Sequence, residues 1–384
     1  MKKVIILGGG LSGVLVANLL LKKKYEIFLL ERHSLTLENL KLYYKLKKKN
    51  LHAHSFSSMF CFFLKKYLPE IYWQIQKGNK YKNKIFEKFF INNINLTKVE
   101  LHEILLKNIL NKIKYYNNVN NINFQKEKLN ISDIVFEIKG KKNQINNVDI
   151  IFDCTGTDSY FESELTKNNN LDVTNIPNNS NILTFIFEIK DDMNLKKLNN
   201  LLLNQNITIY ENNYNLSLIK YGSLFSASFV TINKNFLDRE IFKKILLNYL
   251  KKNDVDNIAF RNNLKWSHFN SKFIKYKSLS KCVENLFPIG DSFMKTNPEY
   301  GMGSTSSLLQ SIYISKNSSE DLKLDSYLEL FFKYFKLIEE VKSKRIKLGE
   351  KNILKKILPY YMQFRFLYSF FRERKKFKKI IKEF

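Results

Sequence analysis

Glycine is rare in this chain and is concentrated in three short windows. The 384 residues include only 12 glycines, whereas an average protein contains about 7% glycine. Eight of the twelve fall within residues 8–13, 153–156 and 290–303. Glycine is needed where the backbone has a positive φ or where another group approaches it closely. The three windows are therefore the places where the sequence constrains the fold most strongly.

The first window lies inside a predicted strand–turn–helix–strand unit. Lys3–Leu7 (KVIIL) has the apolar pattern of a buried parallel strand. It leads into Gly8–Gly13 (GGGLSG), which matches G-x-G-x-x-G. A helix is predicted over Leu11–Lys23 and a second buried strand over Glu26–Leu30. The motif alone is a weak signal, but in this setting it is typical of a dinucleotide-binding unit.

The spacing of the motif has a physical reason. Gly8 permits a tight turn, Gly10 lets a pyrophosphate approach the backbone, and Gly13 lets the helix pack closely on the strand. The helix N-terminus offers free N–H groups and a partial positive charge to the phosphates. Glu31 follows the second strand, where a carboxylate can bind the ribose hydroxyls.

The other two windows also follow apolar runs. Asp149–Gly156 (DIIFDCTG) predicts a buried strand that ends in a turn of small residues. Leu286–Ile289 predicts another strand, followed by Gly290-Asp291, a loop that reaches Gly303 and a helix start rich in serine. Backbone N–H groups at such a helix start favour an electron-rich ligand.

Taken together and in this order, the windows resemble FAD-dependent monooxygenases of the p-hydroxybenzoate-hydroxylase-like superfamily. Within it, the likeness is to the polyprenyl-methoxyphenol-hydroxylase-like and epoxidase subgroup. Its members carry Gly-Asp and then Phe-Asn-Pro-x-Tyr-Gly-x-Gly; residues 296–303 read TNPEYGMG, so that Thr296 replaces Phe. His52-Ala53-His54, Tyr67-Leu68-Pro69 and Trp266 also have counterparts in the family. The resemblance covers most of residues 1–310.

The resemblance implies an α/β fold with a glutathione-reductase-type FAD-binding Rossmann domain, an inserted antiparallel-sheet substrate domain and a helical C-terminus. The FAD-binding domain would comprise residues 1–165 and 276–320, the substrate domain residues 166–275, and the C-terminal helices and basic tail residues 321–384. FAD would be bound non-covalently, with Asp291 at its ribityl chain. The residues expected at the cofactor are Gly8, Gly10, Leu11, Ser12, Gly13, Glu31, Arg32, Lys98, Thr155, Gly156, Gly290, Asp291, Pro298, Gly301, Met302 and Gly303.

The resemblance also implies a reaction. A flavin C4a-hydroperoxide formed with O₂ would hydroxylate or epoxidise a small apolar or aromatic substrate, and no catalytic residue can be named because the cofactor supplies the reactive oxygen. The electron donor is either NAD(P)H or a separate reductase, since the Asp-Gly motif of NAD(P)H-using hydroxylases is missing. Lys98 stands where the family has Arg, and it lacks the planar bidentate fork of the guanidinium.

Other functions remain open. The Trp-x-Trp-x-Ile-Pro motif of flavin halogenases is absent, which disfavours a halogenase. A flavin-dependent prenyl-lipid reductase or cyclase, similar to geranylgeranyl reductases, is one alternative. A non-catalytic flavin-binding protein is another.

The composition limits partners and location. The formal net charge is +28, but the lysines are spread along the chain among Asn, Ile, Phe and Tyr, all encoded by AT-rich codons, so we expect no nucleic-acid partner. Three isolated cysteines indicate neither a disulfide framework nor a metal site. The sequence contains no run of 18 apolar residues, so no membrane span is predicted. Glycines interrupt the apolar N-terminus where the apolar part of a signal peptide would continue. We expect a cytoplasmic protein.

The middle and the end of the chain differ from the windows. Strands are predicted at Ile182–Lys190, Ile207–Glu211, Leu216–Tyr221 and Leu224–Ile232, and an amphipathic helix at Leu237–Lys251. The segment from Asp321 onward has a helical pattern, and Phe364–Phe384 is basic and aromatic. Such a tail fits peripheral contact with an anionic membrane and fits a solvated segment equally well.

Overall fold

The structure is a computed structural model, and its elements follow the chain from Met1 to residue 332. It describes residues 1–46, 53–56, 58–78, 94–156, 158–167, 171–202, 206–210, 214–221, 223–231, 238–261, 267–276, 283–295, 302–317 and 322–332. The fold is mixed α/β, with one parallel sheet and three antiparallel sheets among the described residues.

The strands and helices are numbered in chain order. The strands are β1 (Lys2–Leu7), β2 (Tyr25–Leu30), β3 (Ala53–Phe56), β4 (Ile94–Thr97), β5 (Lys114–Tyr116), β6 (Val119–Glu127), β7 (Asn130–Ile138), β8 (Lys141–Ile145), β9 (Ile150–Asp153), β10 (Leu171–Ile189), β11 (Asn206–Tyr210), β12 (Asn215–Tyr221), β13 (Leu224–Thr231), β14 (Ile258–Phe260), β15 (Ser267–Tyr276), β16 (Leu286–Pro288) and β17 (Met294–Lys295). The helices are α1 (Leu11–Leu20), α2 (Leu40–Leu46), α3 (Ser58–Tyr67), α4 (Pro69–Gly78), α5 (Lys98–Ile109), α6 (Tyr160–Lys167), α7 (Asp192–Leu201), α8 (Arg239–Lys251) and α9 (Met302–Lys316).

The parallel sheet has the strand order β16-β9-β1-β2-β5. Its central strand β1 is buried from Val4 to Leu7, as expected for a strand with helices on both faces. The predicted strands are confirmed, but α1 ends at Leu20 and not at Lys23. Leu21 is the C-cap of α1, and the three lysines after it have no apolar side chain to bury against the sheet. This sheet, its helices and the β6-β7-β8 sheet share one core, called the parallel-sheet lobe below.

A second core lies under a larger antiparallel sheet with the order β11-β12-β13-β10-β15-β17, in which β14 also pairs with β10. Alternate residues of β10 and β13, such as Phe185 and Phe229, face α7 and α8. The four predicted strands are confirmed, although β10 begins at Leu171, earlier than the predicted Ile182. We call this unit the antiparallel-sheet lobe. Unexpectedly, β17, which lies within the third glycine window, pairs with β15 of this sheet.

The chain end is described only in part. Residues 324–332 are helical, and Tyr327, fully buried, donates a 2.6 Å hydrogen bond to the Pro288 carbonyl of β16. The basic segment Phe364–Phe384, His52 and Trp266 lie outside the described residues. No helix in the described part of the chain combines the length and the apolarity needed to cross a bilayer.

Candidate functional site

The three glycine windows meet at one edge of the parallel sheet. Gly8 follows β1, Cys154 follows β9, and Gly290 lies just after β16. Neighbouring strands hold these ends together: Cys154 N donates to Leu7 O at 2.8 Å, and Ile289 N donates to Asp153 O at 2.8 Å. The carboxyl ends of parallel strands are where ligands bind in open α/β sheets.

The first window forms a turn that has no room for side chains. Gly8 has a φ of +95°, and a Cβ there would lie 2.8 Å from the Cys154 carbonyl oxygen. A Cβ on Gly13 would lie 2.0 Å from the Gly8 carbonyl oxygen. This close contact brings α1 onto the end of β1, which is the packing role that the sequence predicts for Gly13.

The N-terminus of α1 is open to an anion. Gly10 is the N-cap and has no side chain to cap the helix, and the first turn contains no acidic residue. The backbone N–H groups of Leu11, Ser12 and Gly13 have no hydrogen-bond acceptor among the described residues. Such N–H groups, at the positive end of the helix dipole, are suited to a phosphate.

Glu31 lies beneath the turn and supports it. Its side chain is buried, and Oε2 accepts a 2.6 Å hydrogen bond from Gly9 N while Oε1 accepts one of 2.9 Å from His33 N. The carboxylate therefore holds the glycine turn in place, a contact that sequence spacing does not reveal. Arg32, in contrast, is exposed and forms a 3.6 Å ion pair with Asp158.

Asp153 organises the second window, and sequence reasoning missed it. This fully buried carboxylate, the last residue of β9, accepts hydrogen bonds from Thr155 N (3.1 Å), Ser159 Oγ (2.9 Å), Phe161 N (2.9 Å) and Ser292 Oγ (3.3 Å). Burial raises the pKa of Asp153, and these hydrogen bonds oppose the shift. The sequence signal that could have identified Asp153 is an acidic residue between an apolar strand and a Thr-Gly turn.

Gly156 joins the second window to the third. Its N–H donates a 2.7 Å hydrogen bond to Ser292 Oγ, and Thr155 precedes it with a hydroxyl bonded to Asp153. Gly156 has a φ of +82°, and a Cβ there would meet no atom within 4 Å. The space beside this turn is therefore open, unlike the space beside Gly8.

The third window places a free carboxylate beside these turns. Gly290 has a φ of +67°, and a Cβ there would lie 2.4 Å from Ser12 Oγ on α1. Its N–H donates a 2.7 Å hydrogen bond to Gln310 Oε1 on α9. Asp291 is exposed and has no hydrogen bond or ion pair with the described part of the chain.

The start of α9 faces the same region. Met302 and Gly303 open this helix, and its first turn contains no acidic residue. Ser307, one turn further on, lies 3.0 Å from Ser12 Oγ, so the N-terminal parts of α1 and α9 touch. Pro298 and Gly301 lie outside the described residues.

Two buried polar atoms of α9 lack partners within the described structure. Ser306 Oγ and Gln310 Nε2 are both fully buried and make no hydrogen bond there. They are one turn apart and belong to the helix that packs against Gly290. Buried polar groups without partners are rare in native proteins.

Lys98 lies on another helix of the lobe. It is the first residue of α5, whose N-terminus is closed by a capping box between Thr97 and Glu100. The Lys98 carbonyl accepts a hydrogen bond of 3.5 Å from the buried Tyr44 hydroxyl, which also lies 3.0 Å from His102 Nδ1. Burial raises the pKa of Tyr44.

The residues present fit an adenine-linked flavin. Free N–H groups at the start of α1 suit its pyrophosphate, and the unpaired Asp291 suits a polyol chain. The open space beside Gly156 would admit a ligand between the second and third windows. The fit rests mainly on backbone groups, which is typical of dinucleotide sites.

A separate surface cavity of about 500 Å³ lies at the opposite edge of the sheet. It is lined in part by Asp149 and Asn285, which precede β9 and β16. The Asn285 side chain is used structurally there, since it accepts a 2.9 Å hydrogen bond from Ile131 N and donates one of 2.9 Å to Ile131 O. The cavity is therefore not part of the candidate site.

Comparison with known proteins relates the fold to flavoenzymes. No protein-family model and no curated protein matches the chain. Among solved structures, p-nitrophenol 4-monooxygenase PnpA from Pseudomonas putida DLL-E4 is similar with a TM-score of 0.61 and 11% identity, over 87% of each chain. The flavin-dependent brominase Bmp2 has a TM-score of 0.57 and 12% identity, over 98% of this chain and 92% of its own. Tetracycline destructase Tet(51) has a TM-score of 0.52 and 16% identity, over 88% of each chain. The chain therefore shares its fold with a monooxygenase, a flavin-dependent brominase and a tetracycline destructase.

Proposed function

We propose that this chain is an FAD-dependent oxidoreductase, and specifically a monooxygenase that hydroxylates or epoxidises a small apolar or aromatic substrate with O₂. The observation that carries the proposal is the meeting of three glycine turns at one edge of the parallel sheet. The fold shared with PnpA, Bmp2 and Tet(51) supports it. The likeness to the polyprenyl-methoxyphenol-hydroxylase-like subgroup is part of the same proposal.

The proposed roles follow from the geometry of the site. Gly10 and the N–H groups of Leu11 to Gly13 would hold the pyrophosphate, and Asp291 would accept hydrogen bonds from the ribityl hydroxyls. Glu31 would keep the turn in shape on the ribose side of the site. Gly303 and the start of α9 would lie against the flavin ring. Bound FAD would supply the redox chemistry of oxygen transfer.

The domain division proposed is the one that the resemblance implies. Residues 1–165 and 276–320 would bind FAD, and residues 166–275 would cover the substrate. The electron donor is proposed as NAD(P)H or a separate reductase, and the location as the cytoplasm. Membrane contact through the basic segment Phe364–Phe384 stays a prediction, which deletion of the residues after Pro359 would test through vesicle co-sedimentation.

The first experiment is an absorption spectrum of the purified protein, followed by heat release of the chromophore to show that it is unattached FAD. Protein that emerges colourless and takes up no added FAD would contradict the proposal. Oxygen dependence tests the finer assignment, because product formed without O₂ from chemically reduced protein would favour a flavin-dependent reductase or cyclase.

A matched pair of variants tests whether FAD lies beside the second window. Gly156 and Gly140 both have positive φ values, +82° and +76°, and a Cβ at either position would meet no atom within 4 Å. Each glycine-to-alanine change should therefore cost a similar backbone strain, about 1–2 kcal/mol. We expect Gly156→Ala to weaken FAD binding by at least tenfold and Gly140→Ala to leave FAD binding unchanged. Equal FAD affinity in both variants would mean that FAD does not lie beside the second window.

A further inference from the structure

Two exposed aromatic residues lie on the α3–α4 hairpin. Phe62 is 44% exposed and Trp73 is 52% exposed. They are the only aromatic residues among the large exposed hydrophobic side chains of the described residues. Lys65, one turn after Phe62 on α3, places its Nζ 5.3 Å from the Trp73 ring centroid and thereby connects the two helices. Exposed rings that stand beside a lysine suit a boundary between an apolar and an aqueous phase.

Further lysines lie on the hairpin and around Tyr67 at the end of α3. Lys66 Nζ lies 5.2 Å and Lys316 Nζ 5.7 Å from the ring centroid of Tyr67, the last residue of α3. Lys22 Nζ donates a hydrogen bond of 3.4 Å to the Tyr67 carbonyl, and Lys77 is exposed one turn after Trp73. Glu70 is the only acidic residue on α3 and α4. We call this surface the aromatic–lysine patch; it comprises Phe62, Trp73, Lys22, Lys65, Lys66, Lys77 and Lys316.

We propose that the aromatic–lysine patch binds the surface of an anionic lipid bilayer. Rings that are apolar in body and half-exposed insert at the level of the headgroups, and lysines around them attract anionic lipids. A second copy of the chain is a poor partner, because each copy carries a formal net charge of +28. An acidic protein could pair with the lysines. However, a lysine separates the two rings, so the patch offers such a protein little continuous apolar surface.

The position of the patch is compatible with a working site elsewhere on the molecule. Lys316 is the last residue of α9, and Lys22 follows the end of α1, whereas Gly303 and Gly10 stand at the opposite ends of these helices. The 15 residues of α9 span about 22 Å. A bilayer on the patch would therefore leave the glycine turns free, and the proposal does not depend on the flavin assignment.

The test is co-sedimentation of the full chain with phosphatidylcholine vesicles, with and without phosphatidylserine. Lys65→Gln/Lys66→Gln should weaken binding to the phosphatidylserine vesicles by about 25-fold, since each lysine near a membrane contributes about fivefold. Lys141→Gln/Lys142→Gln is the matched control, because it removes the same charge from two adjacent exposed lysines of β8. We expect the control to change binding by less than about twofold.

Trp73 provides a second readout that does not rest on charge. Phosphatidylserine vesicles should shift tryptophan emission to shorter wavelength in the wild type but not in Trp73→Phe. Trp73→Ser should weaken vesicle binding by roughly fivefold. An equal loss in the two double-lysine variants would mean that net charge alone attracts the protein to lipid, and would overturn the proposal. Absence of the emission shift, or no binding to anionic vesicles at low salt, would overturn it as well and leave an acidic protein as the partner.

Discussion

The two lobes differ in what their buried side chains do. At the strand ends of the parallel-sheet lobe, Glu31, Asp153, Ser292 and Gln310 are buried and hold turns together. The core of the antiparallel-sheet lobe is aromatic, with rings such as Phe229 and Phe242 whose centroids lie 4.7 Å apart. Polar groups are costly to bury unless they are bonded, so they are retained where they shape a site.

The backbone differs in the same way. Gly8, Gly156 and Gly290 all have positive φ values and lie at one edge of the parallel sheet. The described part of the antiparallel-sheet lobe contains no glycine. Its helices begin in the ordinary way, with Asp191 and Asp238 as N-caps whose side chains accept backbone hydrogen bonds. Three of the four positive-φ glycines in the described chain therefore lie at the candidate site, whereas the positive-φ residues of the antiparallel-sheet lobe are Asp254 and Asn257, in the turn after α8.

The largest effect is expected from Phe242→Ala in the antiparallel-sheet lobe. Phe242 is fully buried against Phe229 and Tyr214, and its truncation should lower the free energy of unfolding by about 3–5 kcal/mol. Below the unfolding temperature, FAD uptake should persist because the two cores are separate. Ile241→Ala, at the adjacent and exposed position, should change stability by less than about 0.5 kcal/mol. Loss of FAD uptake in the folded Phe242→Ala variant would show that the two lobes do not behave independently.

Gly13→Ala should have the next largest effect on stability. Its Cβ would lie 2.0 Å from the Gly8 carbonyl oxygen, so α1 must move away from β1, at a cost of about 3 kcal/mol. We expect FAD binding to be lost at every temperature, in contrast to the Phe242 variant. Gly140→Ala serves as the control in both unfolding and FAD titration. Normal FAD affinity in Gly13→Ala would show that the turn tolerates a side chain.

Asp153→Asn should lower stability at pH 7 by about 2 kcal/mol. An amide can replace one carboxylate oxygen, but its NH₂ group would then face donors such as Phe161 N or Thr155 N. The measurement is a urea unfolding curve. Asp256→Asn, at an exposed acid of the other lobe, should leave the midpoint unchanged. A variant as stable as the wild type would mean that Asp153 does not hold the windows together.

The same variant reveals the pH dependence of Asp153. Burial raises its pKa in the folded protein, so the folded state holds the proton more tightly than the unfolded chain does. Its contribution to stability is therefore complete below about pH 4 and decreases as the pH rises through the raised pKa. The stability difference between wild type and Asp153→Asn should narrow over that range. A difference that widens would mean that the hydrogen bonds outweigh burial.

The smallest effect concerns an exception within the antiparallel-sheet lobe. Ser226 Oγ is fully buried and has no partner among the described residues, whereas Ser228 Oγ lies 3.1 Å from Thr184 Oγ1. Ser226→Ala should raise the free energy of unfolding by about 1 kcal/mol, since it removes an unsatisfied hydroxyl. Ser228→Ala should lower it by a similar amount. Destabilisation of both variants in thermal unfolding would show that the Ser226 hydroxyl is satisfied.

Local patterns predicted four strands of each lobe but not the contacts between windows. KVIIL and EIFLL have the apolar runs of buried strands, and the alternation in β12 and β13 is equally clear. The bond between Gly156 N and Ser292 Oγ joins residues 136 positions apart, which no local pattern encodes. The end of α1 at Leu20 was not predicted, because it depends on which side chains the lysines after the helix can pack against. The role of Glu31 beneath Gly9 was also hidden, because spacing places a carboxylate near the turn without showing which donor it binds.

The segment from Gly290 to Lys295 belongs to both lobes at once. Its first residues form the turn beside Gly156, and Lys295 pairs with Lys272 of the antiparallel sheet. Three peptide steps from Ser292 to Lys295 span at most about 11 Å. A tilt of the antiparallel sheet would therefore move the loop that carries Asp291, so that, under the proposed function, the covering of a substrate would be coupled to the binding of FAD.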